Sequence, residues 1–169
     1  MSESIKHDAS SEGENRNEYE TIRIKKTHSS CSLCEDYAKK QAVKPIAILS
    51  CEGACLRGEI SRQAANRICF RLAPEETVRI CLGGAFTKNT GQRALVRNAS
   101  RVVAIEGCPI RCASRMMQGV LSDLQPEVIV ADALYDLDGD YFGIDEVPEN
   151  QIREHAETVA SKVLVKLTS

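Results

Sequence analysis

The chain has no tryptophan and, in 169 residues, only three phenylalanines and four tyrosines. Little aromatic surface is therefore available to stack on bases, and there is no basic run to track a phosphate backbone, so nucleic acid is a poor expected partner. No apolar run approaches the roughly 20 residues of a membrane-spanning helix. The N-terminal stretch "MSESIKHDASSEGENRNEYE" lacks the apolar centre of a secretory signal, and the expected location is the cytoplasm. Histidines are also few. His7 and His28 fall in the N-terminal segment and His155 in the last predicted helix, and no Ser-His-Asp arrangement stands out. "LGGAF" lacks the full glycine fingerprint and the lysine of a phosphate cradle. "DLDGDYFGIDEV" alternates Asp136, Asp138 and Asp140 as a calcium loop does. Counted from Asp136, however, its sixth position is Tyr141 and its twelfth Val147, where a calcium loop needs Gly and Glu, so it reads as a solvated loop.

What the chain does have is eight cysteines. In a reducing compartment that number points to metal or redox chemistry rather than a disulfide framework, and a domain of this length buries a core without covalent staples. Charge is unevenly spread. Residues 57–115 hold 11 Lys/Arg and 4 Asp/Glu, a net of +7, whereas residues 116–169 hold 3 and 11, a net of −8. The plain expectation is that the two stretches neutralise each other on one surface, although the basic part could also attract an anion or an acidic partner.

Apolar runs alternate with helical periods. "KPIAILSC", "TVRICL", "RVVAIEG" and "PEVIVADAL" read as four strands. "GEISRQAANRICFRLAP" repeats Ile60, Ala64, Ile68 and Leu72 every fourth residue, and "QIREHAETVASKVLVKL" places Ile152, Ala156, Val159, Val163 and Leu167 on one face, so both read as amphipathic helices. "GQRALVRNA" is a short helix, "GGAF" a glycine turn, and a further helix is expected from Pro109 to about Leu124. Strands that are continuously apolar and alternate with helices imply a three-layer α/β fold. Its core is a mostly parallel sheet of about four strands with helices on both faces, a Rossmann-like arrangement. Residues 1–30 read as a disordered polar tail, residues 31–44 as a transition segment holding a C-x-x-C, and residues 45–169 as a cysteine-rich α/β metal-binding domain.

On that scaffold Cys51 ends the first strand, Cys81 the second, and Cys108 follows the third. Parallel strands end at one edge, where open α/β sheets carry ligands. Cys55 and Cys112 each lie four residues beyond a strand-end cysteine, about one helical turn. Pro109 suits a first helical position, which puts Cys108 at the expected cap and Cys112 in the first turn, where negative charge is favoured. Cys69, beside Ile68, reads as a small core residue. Cys31 and Cys34, with His28 before them, resemble half a zinc knuckle or a redox pair.

The segments "SCEGAC", "RGEISRQAA", "ICLGGAF" and "IEGCPIRCA", in this order over roughly residues 45–125, resemble the Asp-Gly-Cys (DGC) domain family. The resemblance implies a zinc ligand set of Cys51, Cys81, Cys108 and Cys112. Cys55, Cys31 and Cys34 are extra thiols that could serve as accessory ligands, and the naming motif reads Glu106-Gly107-Cys108, with Glu for Asp. Read on their own, the same cysteines fit Zn²⁺, a 4Fe-4S cluster, a thiol or persulfide relay, or a small-molecule scaffold. The expected partner is a metal ion, no membrane is expected, and a protein partner or homo-oligomer stays open.

Overall fold

The computed structural model describes residues 21–25, 29–87 and 90–168. Most of the expected tail, residues 1–20 and 26–28 with His7 and His28, lies outside these. Four strands form one all-parallel sheet in the order β2-β1-β3-β4. They are β1 (Ile46–Ser50), β2 (Thr77–Arg79), β3 (Arg101–Glu106) and β4 (Glu127–Val130). Every residue of β1 is buried, as a central strand covered on both faces requires. The sheet and its surrounding helices make the three-layer α/β fold that the apolar runs imply.

Successive strand residues point to opposite faces, and the core divides accordingly. Ile46, Ile48, Val103, Ile105 and Ile129 face α2 (Leu56–Arg67) and α6 (Glu149–Thr168). Ala47, Leu49, Val78, Ile80 and Ala104 face the other way. That second layer holds α1 (Ser32–Gln41), α3 (Leu82–Phe86), α4 (Thr90–Asn98) and α5 (Cys112–Val120). In α6 the five positions predicted to share a face are all buried.

Four local expectations change. The four-residue repeat of α2 fails at Leu72, which is 47% exposed. Residues Ile68–Leu72 form a π-helical turn closed by Ala73 N–H donating to the Ile68 carbonyl at 2.9 Å, and its extra residue rotates the following side chain off the core face. "GGAF" is helical rather than a turn, as part of α3. The fourth strand stops at Val130, and Ala131–Leu134 continue as a 3₁₀ turn. Residues 32–41, read from the sequence as part of a transition segment, form the ten-residue α1. This helix packs on the domain: Ala38 is buried, the Tyr37 hydroxyl donates to the Arg79 carbonyl at 3.3 Å, and Glu35 accepts from Gly91 N–H at 3.1 Å.

Charge imbalance along the chain is resolved on the surface. Arg57–Asp132, Arg67–Glu157, Arg97–Asp123 and Arg101–Glu127 each pair the basic stretch with the acidic one, at 2.7–2.9 Å. Such exposed pairs add little stability; their role is to cancel the two opposite fields locally. Among the described residues no helix is long and apolar enough to cross a membrane.

Candidate metal-binding edge

Parallel strands bring the cysteines to one edge. Cys51, Cys81 and Cys108 lie one or two residues past the ends of β1, β2 and β3, and Cys112 opens α5. The strand order matters as much as the direction. From β1 the chain moves first to β2 on one side and later to β3 on the other. The β1/β3 boundary is therefore the topological switch point, where open parallel sheets leave a crevice. Cys51 and Cys108 stand on its two sides.

Helix starts are a second recurring position. Cys31, Cys55 and Cys81 are the N-caps of α1, α2 and α3, and Cys112 is the first residue of α5. Cys81 accepts a helix N–H through its sulfur, from Gly84 at 3.4 Å. Its own N–H donates to the buried Gln92 amide oxygen at 2.9 Å.

The start of α5 is not where its proline suggests. Pro109 does not open the helix and Cys108 does not cap it. The cap is Arg111, in the left-handed region at φ 56°. Residues Cys108–Arg111 form a turn closed by Arg111 N–H on the Cys108 carbonyl at 3.2 Å, with Pro109 at the second turn position that proline favours. The helix can start later because a side chain from the strand end satisfies its free N–H groups. Glu106, 1% exposed, accepts from Ala113 N–H at 3.3 Å and Ser114 N–H at 2.6 Å.

Cys51 is the most enclosed of the edge cysteines. Burial pushes its thiol up, and Glu106 and Cys112 push in the same direction, against the N–H groups of Gly53 and Gly107 that bond the sulfur. Gly53 lies between two thiols: a Cβ there would stand 3.3 Å from Cys51 Sγ and 3.7 Å from Cys55 Sγ. The backbone is equally crowded. A Cβ on Gly107 would meet Arg57 and Gly58 backbone atoms at 2.9 Å, and one on Gly58 would meet the Gly53 carbonyl at 2.6 Å. Beneath the loop, Ser61 Oγ lies 3.2 Å from both the Cys51 and Ile105 carbonyls. Arg79, its side chain 10% exposed, binds Ser50 Oγ at 2.7 Å, Asn66 Oδ1 at 3.0 Å and Glu52. No sequence signal marked Arg79 or Gln92 as supports of this edge. Glu106 was visible only as part of a motif, not as a helix cap.

The thiols fall into two groups. Cys51, Cys55 and Cys112 surround the switch point, with Cys108 half-buried in the turn above. Cys31 and Cys34 share the first turn of α1, which docks beside β2, the strand that Cys81 follows. The Cys34 backbone N–H and side chain hold the Cys31 thiol below its ordinary value, and the same contact raises Cys34. Cys69 is remote from both groups. It is 3% exposed within the core, and burial pushes its thiol up to about 11. A cavity of about 290 Å³ lies between Arg57 and the acidic loop from Asp132 to Tyr141. Tyr135 lines it with an unpartnered hydroxyl.

In kind, these donors fit a soft cation, since thiolates at one edge are the ligands zinc and iron–sulfur clusters take. In position they are less closely gathered. Among the described residues no three His, Cys, Asp or Glu side chains come together closely enough to hold an ion.

Fold and edge define a parallel α/β domain with a thiol-bearing switch point. The family model of the DGC domain matches residues 47–159, which include the four strand-edge cysteines and exclude Cys31 and Cys34. The chain belongs to the DGC domain family. No curated protein and no solved structure matches it.

Proposed function

We propose that this chain is a zinc-binding protein that handles or senses the metal through Cys51, Cys81, Cys108 and Cys112. The observation that carries this reading is the delivery of one cysteine to the same sheet edge by each of three successive strands, with α5 opening on a fourth. Four thiolates suit the tetrahedral preference of Zn²⁺. Bound there, zinc supplies a cation that thiolates hold and exchange. Cys55, across Gly53 from Cys51, is the natural alternate ligand. The loop Cys51–Cys55 and the turn Cys108–Arg111 would close around the ion. The core supports handling over stapling: two apolar clusters on the two sheet faces already account for the fold, so the metal is not needed to hold the domain together.

The test is metal analysis of protein purified without oxygen. The expected result is a colourless protein with about one zinc per chain, lost in Cys108→Ser and in Cys112→Ser and kept in Cys69→Ala. Unchanged zinc in the first two variants would overturn the ligand assignment. A brown protein with broad visible absorbance would replace zinc with an iron–sulfur cluster on the same cysteines.

A further inference from the structure

Cys31 and Cys34 lie outside the segment matched by the family and outside the four proposed ligands. We propose that they are a redox-active dithiol that reduces disulfides of small thiols or of proteins by thiol–disulfide exchange. The proposal goes beyond the zinc reading and does not depend on it.

Three observations carry it. The two thiols lie three residues apart across the first turn of α1, Cys31 at its N-cap and Cys34 within it, so their side chains face the same way and interact. Cys31 is exposed at the N-cap of α1, while Cys34 is half-buried one turn on. An incoming disulfide therefore meets Cys31 first. The helix that carries them is also anchored, by Tyr37 on the edge strand, by Ala38 in the core and by Glu35 on Gly91. The pair is thus held at a fixed place on the domain rather than on a free arm.

The chemistry balances. The Cys31 thiolate attacks one sulfur of the incoming disulfide, forming a mixed disulfide and expelling one thiolate. Cys34 then attacks the Cys31 sulfur, closing Cys31–Cys34 and expelling the second thiolate, which takes the Cys34 proton. Two thiols of this chain are oxidised and one external disulfide is reduced to two thiols.

The experiment treats the reduced full-length chain with glutathione disulfide, quenches with an alkylating agent, and maps each cysteine by mass spectrometry. The wild type is expected to close Cys31–Cys34 before any other pair and to hold little glutathione adduct. Cys34→Ser should accumulate the adduct on Cys31 by roughly tenfold over wild type, and Cys31→Ser should leave Cys34 reduced. Zinc content should be unchanged in the Cys31→Ser/Cys34→Ser double variant. The proposal is overturned if Cys31 and Cys34 stay reduced while other cysteines oxidise, or if a Cys34–Cys81 disulfide predominates. Loss of zinc from the double variant also overturns it, by making the pair metal ligands. Failure of the four-cysteine zinc site, read in Cys108→Ser and Cys112→Ser, leaves this test standing.

Discussion

The buried Glu106 carboxylate accepts the Ser114 N–H at 2.6 Å, so the last residue of β3 fixes where α5 begins. Cys112 takes its place from that contact. Replacing the cap should loosen the helix start and the thiol with it. Glu106→Ala is expected to cost about 1–3 kcal/mol, the range for stranding buried N–H groups. Glu106→Asp, which restores the motif of the family's name, should retain more of the stability. Urea unfolding of both variants checks the ranking; equal losses would show that the carboxylate does not cap the helix.

Glycines at the switch point provide an internally controlled test. Gly107→Ala and Gly58→Ala would each press a methyl onto backbone at 2.6–2.9 Å, and backbone has no rotamer to yield. Each is expected to lose about 1–3 kcal/mol. Gly83 in α3 has nothing within 4 Å of its added Cβ. Gly83→Ala should be neutral or gain up to about 1 kcal/mol from helix propensity. Thermal melts of the three variants separate crowding from a general intolerance of substitution.

Stability should fall in alkali through Cys69. Its thiol ordinarily titrates at 9.0, and burial raises it to about 11 in the folded protein. The folded state therefore holds its proton more tightly than the unfolded state. That contribution is complete below pH 9 and is lost as pH rises through about 11. Cys69→Ala removes this thiol, so its unfolding free energy should depend less steeply on pH across that window. Parallel slopes for the two proteins would place the alkaline loss elsewhere.

Removing α1 should destabilise the domain even though the family match begins after it. A chain starting at Pro45 loses the buried Ala38, the Tyr37 bond to the edge strand β2, and the Glu35 bond to Gly91. A drop in Tm of several degrees is expected, about what 1–2 kcal/mol gives in a domain of this size. An unchanged Tm would make α1 an appendage carrying the dithiol rather than part of the packed layer.

Much of the architecture was legible because it rests on local pattern. Continuous apolar runs such as "IAILS" can be satisfied only by strands covered on both faces, and four of them separated by helical periods leave a parallel sheet as the solution. Parallelism then places Cys51, Cys81 and Cys108 at one edge. Cys69 was legible for the same reason, by its place beside Ile68 on an inward helix face. Leu72 was misread because a π turn changes the period inside one continuous helical segment, and nothing in "ICFRL" announces it. Pro109 was misread because a proline suits both a helix start and the second position of a turn. The choice between them lay with Glu106, six residues before the helix, and with Arg111 in a left-handed conformation that glycine or asparagine more often occupies.

By itself, then, the sequence determined the fold class and the presence of thiols at the C-terminal edge, because both follow from periods of two and about 3.6 residues and from chain direction. Tertiary structure alone decided which thiols are neighbours. The strand order put Cys51 and Cys108 across the switch point, and the docking of α1 on β2 and α4 brought the Cys31–Cys34 pair to the β2 side of the sheet. The hydrogen bonds that dock α1 join residues 42 and 56 positions apart. They depend on which surfaces the packed layers leave free, and no local period encodes that.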